Sequence, residues 1–183
     1  MVLRTDRLIL RPWELSDAPA LYKYASDERI GTAAGWPPHE SVEESAEIIR
    51  TVFSNEGVFA LTLKDSDEAI GCAGFQVGEA SNFPLGEAEA EIGYWIGVPF
   101  WGRGLVPEAV RELVRHGFEE LGYKTLWCGY FDGNNQSKRA QEKCGFKFVR
   151  ADYVTDEASG EKRLVNVSRL TRDEWTAARE PRR

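Results

Sequence analysis

Between Glu91 and Val110 the chain reads E-I-G-Y-W-I-G-V-P-F-W-G-R-G-L-V-P-E-A-V. A β-branched and aromatic run passes through Pro99 into a glycine turn, and the turn opens directly into a helical pattern. A helix N-terminus carries unpaired N–H groups and a partial positive charge. The backbone N–H groups from Gly102 to Val106 are therefore suited to wrapping a phosphate or pyrophosphate. Gly102 and Gly104 allow close approach of such an anion with no Cβ in the way. Pro107 falls in the first helical turn, where no N–H is needed. The turn is not a Walker loop, since no G-x-x-x-x-G-K-[ST] occurs. Nor is it a dinucleotide fingerprint, because Pro107 stands at the third glycine of G-x-G-x-x-G. Taken by itself, the segment also reads as a tight strand-to-helix turn with no ligand.

A second constellation runs from Asn134 to Phe146, N-N-Q-S-K-R-A-Q-E-K-C-G-F. Locally it is a short helix capped by Asn134 or Asn135. Gly145 suits the left-handed position after its last turn, and Phe146 the apolar contact of a Schellman motif. A third candidate is Glu91, at the start of the strand that leads into the glycine turn. It reads equally as a general base or as a solvated strand-end carboxylate. Glu89, with the same parity, is the alternative base.

The elements that must carry these residues follow from periodicity. Strands are expected at Arg7–Arg11, Val58–Leu63, Ala69–Val77, Glu91–Val98, Thr125–Phe131, Lys147–Val154 and Leu164–Leu170. Ser16 is the expected cap of a first helix. Ser41 and Glu44 form a capping box for a second, which presents Val42, Ile49, Val52 and Phe53. The segment Ser26–Glu40, punctuated by Gly31, Gly35, Pro37 and Pro38, reads as irregular. A long helix over Pro107–Leu121 presents Val106, Val110, Leu113, Val114, Phe118 and Leu121 on one face, with Gly122 after it. Thr171 and Glu174 repeat the capping box for a last helix, and Pro181–Arg183 are expected to fray. The order gives a mixed α/β layout in one domain, residues 1–183, with the last two strands antiparallel.

Composition narrows the function classes. The 183 residues carry a formal net charge of −7, which argues against nucleic acid as main partner and mildly favours a cationic substrate. No run of eighteen apolar residues predicts a membrane span, and no apolar h-region follows Met1. A cytoplasmic protein is the expectation. Three widely spaced cysteines and two histidines support neither a disulfide framework nor a metal site.

Together, the two motif segments resemble the GCN5-related N-acetyltransferase (GNAT) superfamily, in the branch of the ribosomal-protein N-terminal acetyltransferases. Its pyrophosphate loop matches Trp101-Gly102-Arg103-Gly104-Leu105-Val106 and the E-A pair Glu108-Ala109. Its N-x-x-S matches Asn134 and Ser137, and its E-K-x-G-F matches Glu142 to Phe146. The opening T-x-R-L-x-L-R-P from Thr5 to Pro12 and the closing T-R-D-E-W from Thr171 to Trp175 agree, so the likeness spans nearly the whole chain. Two positions depart from the pattern. Val106 replaces a small residue, and Gln141 stands where many members carry a tyrosine as general acid.

The resemblance implies a GNAT-like domain with a central, twisted, mostly antiparallel sheet and flanking helices. It implies direct transfer of an acetyl group from acetyl-CoA to a protein N-terminal or small-molecule amine, with no metal. Glu91 would take a proton from the amine, through a water, since a lysine-type amine has a pKa of about 10.4. A backbone N–H from Trp95, Ile96 or Gly97 would stabilise the developing oxyanion, and the same stretch would pair with the pantetheine amides. Ser137 would protonate or hydrogen-bond the departing thiolate, and Asn134 would hold pantetheine. Arg103, Lys138 and Arg139 would meet phosphate charge. Gln141 supports a competing reading, a non-catalytic CoA-binding module. Aromatic residues on the last strands are compatible with a homodimer.

Overall fold

The computed structural model describes residues 1–156 and 159–179; the expected fraying of Pro181–Arg183 lies outside them. Eight strands form one sheet: β1 (Leu3–Arg4), β2 (Leu8–Arg11), β3 (Val58–Leu63), β4 (Gly71–Gln76), β5 (Glu89–Ile96), β6 (Thr125–Phe131), β7 (Lys147–Thr155) and β8 (Lys162–Thr171). Their spatial order is β1-β2-β3-β4-β5-β6-β8-β7. Every neighbouring pair is antiparallel except β5 and β6. A parallel pair needs a long crossover, and α4 (Leu105–Glu119) supplies it. The other helices are α1 (Ala18–Ala25), α2 (Glu28–Ala34), α3 (Val42–Ile48), α5 (Asn135–Lys143) and α6 (Arg172–Arg179). No helix among the described residues is long and apolar enough to cross a membrane.

Helices cover both faces of the sheet. On one face the apolar stripe of α4, with Ala109, Val110, Leu113 and Phe118, packs on Ala90, Ile92, Ile96 and Leu126. On the other, Trp13, Leu21, Ala25 and Ile49 pack on Ala60 and Cys72. At the far edge, β7 leaves Phe148 and Tyr153 exposed.

Several expectations change. Ser26–Glu40 is not irregular throughout, because it contains α2. Asp27 caps that helix through the Arg29 N–H at 3.0 Å. Gly31 is there for close packing, since a Cβ would lie 2.6 Å from the Trp36 carbonyl. Gly35, at φ +86°, ends the helix. Ser16 does not cap α1. Glu14 and Asp17 form a capping box around a preceding 3₁₀ turn, and Asp17 is the N-cap of α1. The second helix gives way to a π turn over Ile49–Phe53, which leaves Val52 exposed, and Leu121 is exposed beyond the end of α4. β5 begins two residues earlier than the sequence suggests and ends at Ile96. The end of α5 follows the expected Schellman pattern, with Phe146 N–H bonding the Gln141 carbonyl and Gly145 N–H that of Glu142, both at 3.1 Å.

Candidate active site

Beyond Ile96 a single 3₁₀ turn over Val98–Phe100 redirects the chain toward α4. Trp101 returns its indole N–H to the Ile96 carbonyl at 2.8 Å, fixing the loop against the strand end. Gly102 and Gly104 both adopt φ +74°, a left-handed conformation that costs a residue with a Cβ roughly 1–2 kcal/mol. Gly104 is the N-cap of α4, and the N–H groups of Leu105 and Val106 have no carbonyl four residues back to bind. The exposed Arg103 guanidinium lies over the Phe100 ring at 5.3 Å.

The N-terminal segment braces this loop. Glu108 accepts from the Thr5 hydroxyl at 2.6 Å, the Arg7 backbone N–H at 2.8 Å and Arg7 Nε at 2.6 Å. Arg7 Nη1 donates to the Arg103 carbonyl at 2.9 Å. Partial burial pushes the Glu108 carboxyl up, but the donors from Thr5 and Arg7 outweigh it and hold the pKa below the usual carboxylate range. Two motifs distant in sequence, T-x-R and E-A, are thus one structural unit.

The central feature is a wedge in the sheet. β5 and β6 pair only from Glu89↔Thr125 to Glu91↔Trp127, although β5 continues to Ile96 and β6 to Phe131. At the fork the Cys128 thiol donates to the Ile92 carbonyl at 3.1 Å. N–H and C=O groups alternate sides along a strand. Gly97 N–H bonds the Ile70 carbonyl at 2.8 Å, so Gly97, and with it Trp95, turns toward β4. Tyr94 and Ile96 turn into the wedge, in step with Ile92, whose carbonyl accepts from Cys128 on β6. Of the three residues expected to offer an N–H there, only Ile96 does so, and Tyr94 joins it. The correction follows from strand register.

Asn134 is the N-cap of α5, accepting from the Ser137 N–H at 3.0 Å. That sets Ser137 in the first turn, with its hydroxyl 2.7 Å from the Tyr94 hydroxyl. The sequence reading missed Tyr94; its parity with Ile92 and Ile96 was the available signal. Gln141 is only 1% exposed. Its Nε2 donates to the Gly129 carbonyl at 2.9 Å and approaches Ser137 Oγ at 3.5 Å, and its Oε1 accepts from the Ser168 hydroxyl. At this position the side chain is a strut joining α5 to β6 and β8. Gln141→Leu would strand the Gly129 carbonyl and should destabilise the fold by about 1–3 kcal/mol, read as a lowered midpoint in urea unfolding. An unchanged midpoint would remove the strut role. Lys138 and Arg139 are exposed on α5.

Side chains alternate faces along a strand, so Glu91 and Trp95 project opposite to Tyr94. Glu91 is the third residue of β5 and only 3% exposed, not a solvated strand end. Its carboxylate accepts from the Ser81 hydroxyl at 2.8 Å, the Asn82 N–H at 2.7 Å and Asn82 Nδ2 at 3.0 Å. Burial pushes its pKa above the usual carboxylate range, and the hydrogen bonds from Asn82 and Ser81 offset this only in part. Glu89 accepts from the Trp127 indole at 2.9 Å and the Gly86 N–H at 3.0 Å. On the Glu91 side, Trp95 meets Trp36 edge-on at 5.9 Å. An open cleft of about 590 Å³ lies between α2, the end of β6 and β8, with Glu28, Thr32, Phe131, Asp132 and Arg163 among its walls. Arg163 stacks 3.6 Å over Phe131 and pairs with Asp156.

A family model of the acetyltransferase (GNAT) domain matches residues 7–147. The chain belongs to the GNAT acetyltransferase family. It is 31% identical over 170 residues to the uncharacterized N-acetyltransferase p20 of Bacillus licheniformis, covering 90% of this chain and 92% of that relative. Among solved structures, a GCN5-related N-acetyltransferase from Brucella melitensis superposes with a TM-score of 0.81 at 20% identity, covering 97% of this chain and 81% of that one. The microcin C7 self-immunity acetyltransferase MccE, in complex with acetyl-CoA and AMP, gives 0.76 at 20% identity, covering 91% and 93%. These GNAT relatives are acetyltransferases, and the chain is an enzyme of that class rather than a non-catalytic module.

Proposed function

We propose that this acetyltransferase takes its acetyl group from acetyl-CoA and delivers it to a primary amine, with both substrates bound together. The observation that carries the reading is the wedge between β5 and β6, which ends at a glycine loop opening a helix. The N–H groups from Gly102 to Val106 receive the pyrophosphate, with Arg103 and Arg139 as flanking cations. The inward N–H groups of Tyr94 and Ile96 suit the pantetheine and the thioester carbonyl, whose oxygen gains charge during attack. Asn134 and Ser137 line the opposite wall. Bound there, acetyl-CoA supplies an acetyl carbon activated as a thioester. The chain's own groups supply the rest.

The buried Glu91 carboxylate suits the general base, acting through a water. Its raised pKa makes its carboxylate a better proton acceptor than that of an exposed glutamate. The amine would arrive from the cleft beside α2, on the Glu91 face, whose walls carry Glu28 and Asp132 together with Arg29 and Arg163. Ser137, on the other face, keeps its proton and hydrogen-bonds the sulfur as the C–S bond breaks. Thiolate stabilisation and proton removal would thus lie on opposite faces of β5. The MccE neighbour, seen with acetyl-CoA, is consistent with this donor, and the N-acetyltransferase relative with an amine acceptor.

The test is release of CoA thiol from acetyl-CoA in the presence of a panel of amines: peptides with free N-termini, polyamines and aminoglycosides. Amine-dependent release supports the reading, and its absence across the panel with no acetyl-CoA binding removes it. Ser137→Ala should lower kcat by about ten-fold or more. A wild-type rate would leave the thiolate to solvent.

A further inference from the structure

We infer that Tyr94 is the positioning residue for Ser137, and that the two hydroxyls together take over the thiolate-stabilising role of the tyrosine this chain lacks at Gln141. The inference rests on the acetyl-transfer reading above and adds a residue to it.

The geometry is specific. The Tyr94 and Ser137 hydroxyl oxygens are 2.7 Å apart, a normal O–H···O distance. One of the two must donate. Ser137 has a single proton; if it points at Tyr94, nothing remains for the sulfur. Ser137 offers the Tyr94 O–H two oxygen acceptors, Oγ at 2.7 Å and the carbonyl oxygen at 3.4 Å, and the buried Cys128 sulfur, a weak acceptor, is the competing neighbour. Donation from Tyr94 to Ser137 Oγ satisfies the phenol and turns the serine proton outward, into the wedge. Gln141 Nε2, at 3.5 Å from the same Oγ, reinforces that polarity because an amide N–H can only donate. Ser137 Oγ is then the acceptor of two protein donors, which makes its own O–H a stronger donor.

Burial holds the Tyr94 phenol well above its usual pKa, so it stays a neutral donor through the working pH range. No proton leaves Tyr94 or Ser137. As the nitrogen–carbon bond forms, the C–S bond breaks, and sulfur keeps the bonding pair as a hydrogen-bonded thiolate. The nitrogen's proton goes to Glu91 through water, and solvent later protonates the thiolate to the free thiol.

Anchoring also favours Tyr94 as a positioning group. Its ring packs in the core beneath α4, and Ser137 is pinned by the Asn134 cap. Each hydroxyl is therefore held by a rigid element, β5 or α5, and the contact needs no loop to close. At Gln141 a phenol would have to displace the bonds to Gly129 and Ser168, so the hydroxyl enters from the strand instead.

The decisive experiment is a double-mutant cycle on kcat with acetyl-CoA and the best amine of the panel. Tyr94→Phe should lower kcat by about ten-fold, leave the acetyl-CoA dissociation constant unchanged, and leave the acid limb of the pH profile in place. In a Ser137→Ala background the same substitution should change kcat less than about two-fold, because acting through a shared group makes effects non-additive. Site-specific para-aminophenylalanine at position 94, which keeps a donor in the same ring, should restore most of the rate; it also serves if the phenylalanine variant folds poorly. Additive losses, a wild-type rate in Tyr94→Phe, or loss of cofactor affinity in step with kcat would each overturn the inference while acetyl transfer by the wild type stands. A wild-type chain that binds no acetyl-CoA would remove the underlying reading instead.

Discussion

Gly104→Val should weaken acetyl-CoA binding by at least about a hundred-fold, equivalent to roughly 2.8 kcal/mol. Two effects add. Gly104 sits at φ +74°, where a β-branched side chain is strained. Around it there is room for a Cβ, since the nearest atom it would meet is the Arg7 guanidinium at 3.7 Å. The glycine is therefore not demanded by protein packing. It is demanded by backbone conformation and, in the proposed function, by the approach of a phosphate to the N–H groups that open α4. Calorimetric titration of acetyl-CoA into wild type and variant reads the effect. Gly104→Ala should show an intermediate loss, as it adds the smallest Cβ to the same strained turn. Unchanged affinity in Gly104→Val would overturn the phosphate-loop assignment and leave the turn as a purely structural joint.

Glu91→Gln should lower kcat by about 10²- to 10⁴-fold, the range of a lost general base, with acetyl-CoA affinity intact because the residue faces away from the cofactor wall. The pH dependence has a definite sign. As the proposed base, Glu91 would act when ionised, and burial raises its pKa, so the acid limb of kcat/KM should lie above the pKa of about 4.3 of a free glutamate. The limb should vanish in Glu91→Gln. The same shift acts on stability. The folded chain holds the Glu91 proton more tightly than the unfolded chain, so stability falls as pH rises from the unfolded pKa through the folded one. A variant with full activity and an unmoved acid limb would remove Glu91 as the base and leave Glu89 as the alternative.

The loss expected in each case depends on a contact that the sequence disclosed unevenly. Asn134 and Ser137 were readable because an N-cap acts over three residues, and the Schellman end of α5 because Gly145 and Phe146 act within one turn. The glycine loop was readable for the same reason. α2 was hidden because Gly31 and Gly35 look like breakers. One of them is a helix-packing contact against Trp36 and only the other a stop. Glu108 was visible as half of an E-A pair, but its bonds to Thr5 and Arg7 join the two ends of a long stretch of chain.

By itself, the sequence disclosed every sheet strand but β1, every α-helix but α2, the loop at the start of α4 and the candidates Glu91, Asn134 and Ser137, because periodicity, caps and left-handed glycines are properties of a few adjacent residues. Tertiary structure alone decided which backbone N–H groups enter the wedge, that Gly97 turns away to Ile70, that Glu91 is buried under Ser81 and Asn82, and that Tyr94 meets Ser137 while Gln141 becomes a strut. Each of these depends on strand register and on where two paired strands part. A shift of one residue in register sends every side chain of a strand to the other face.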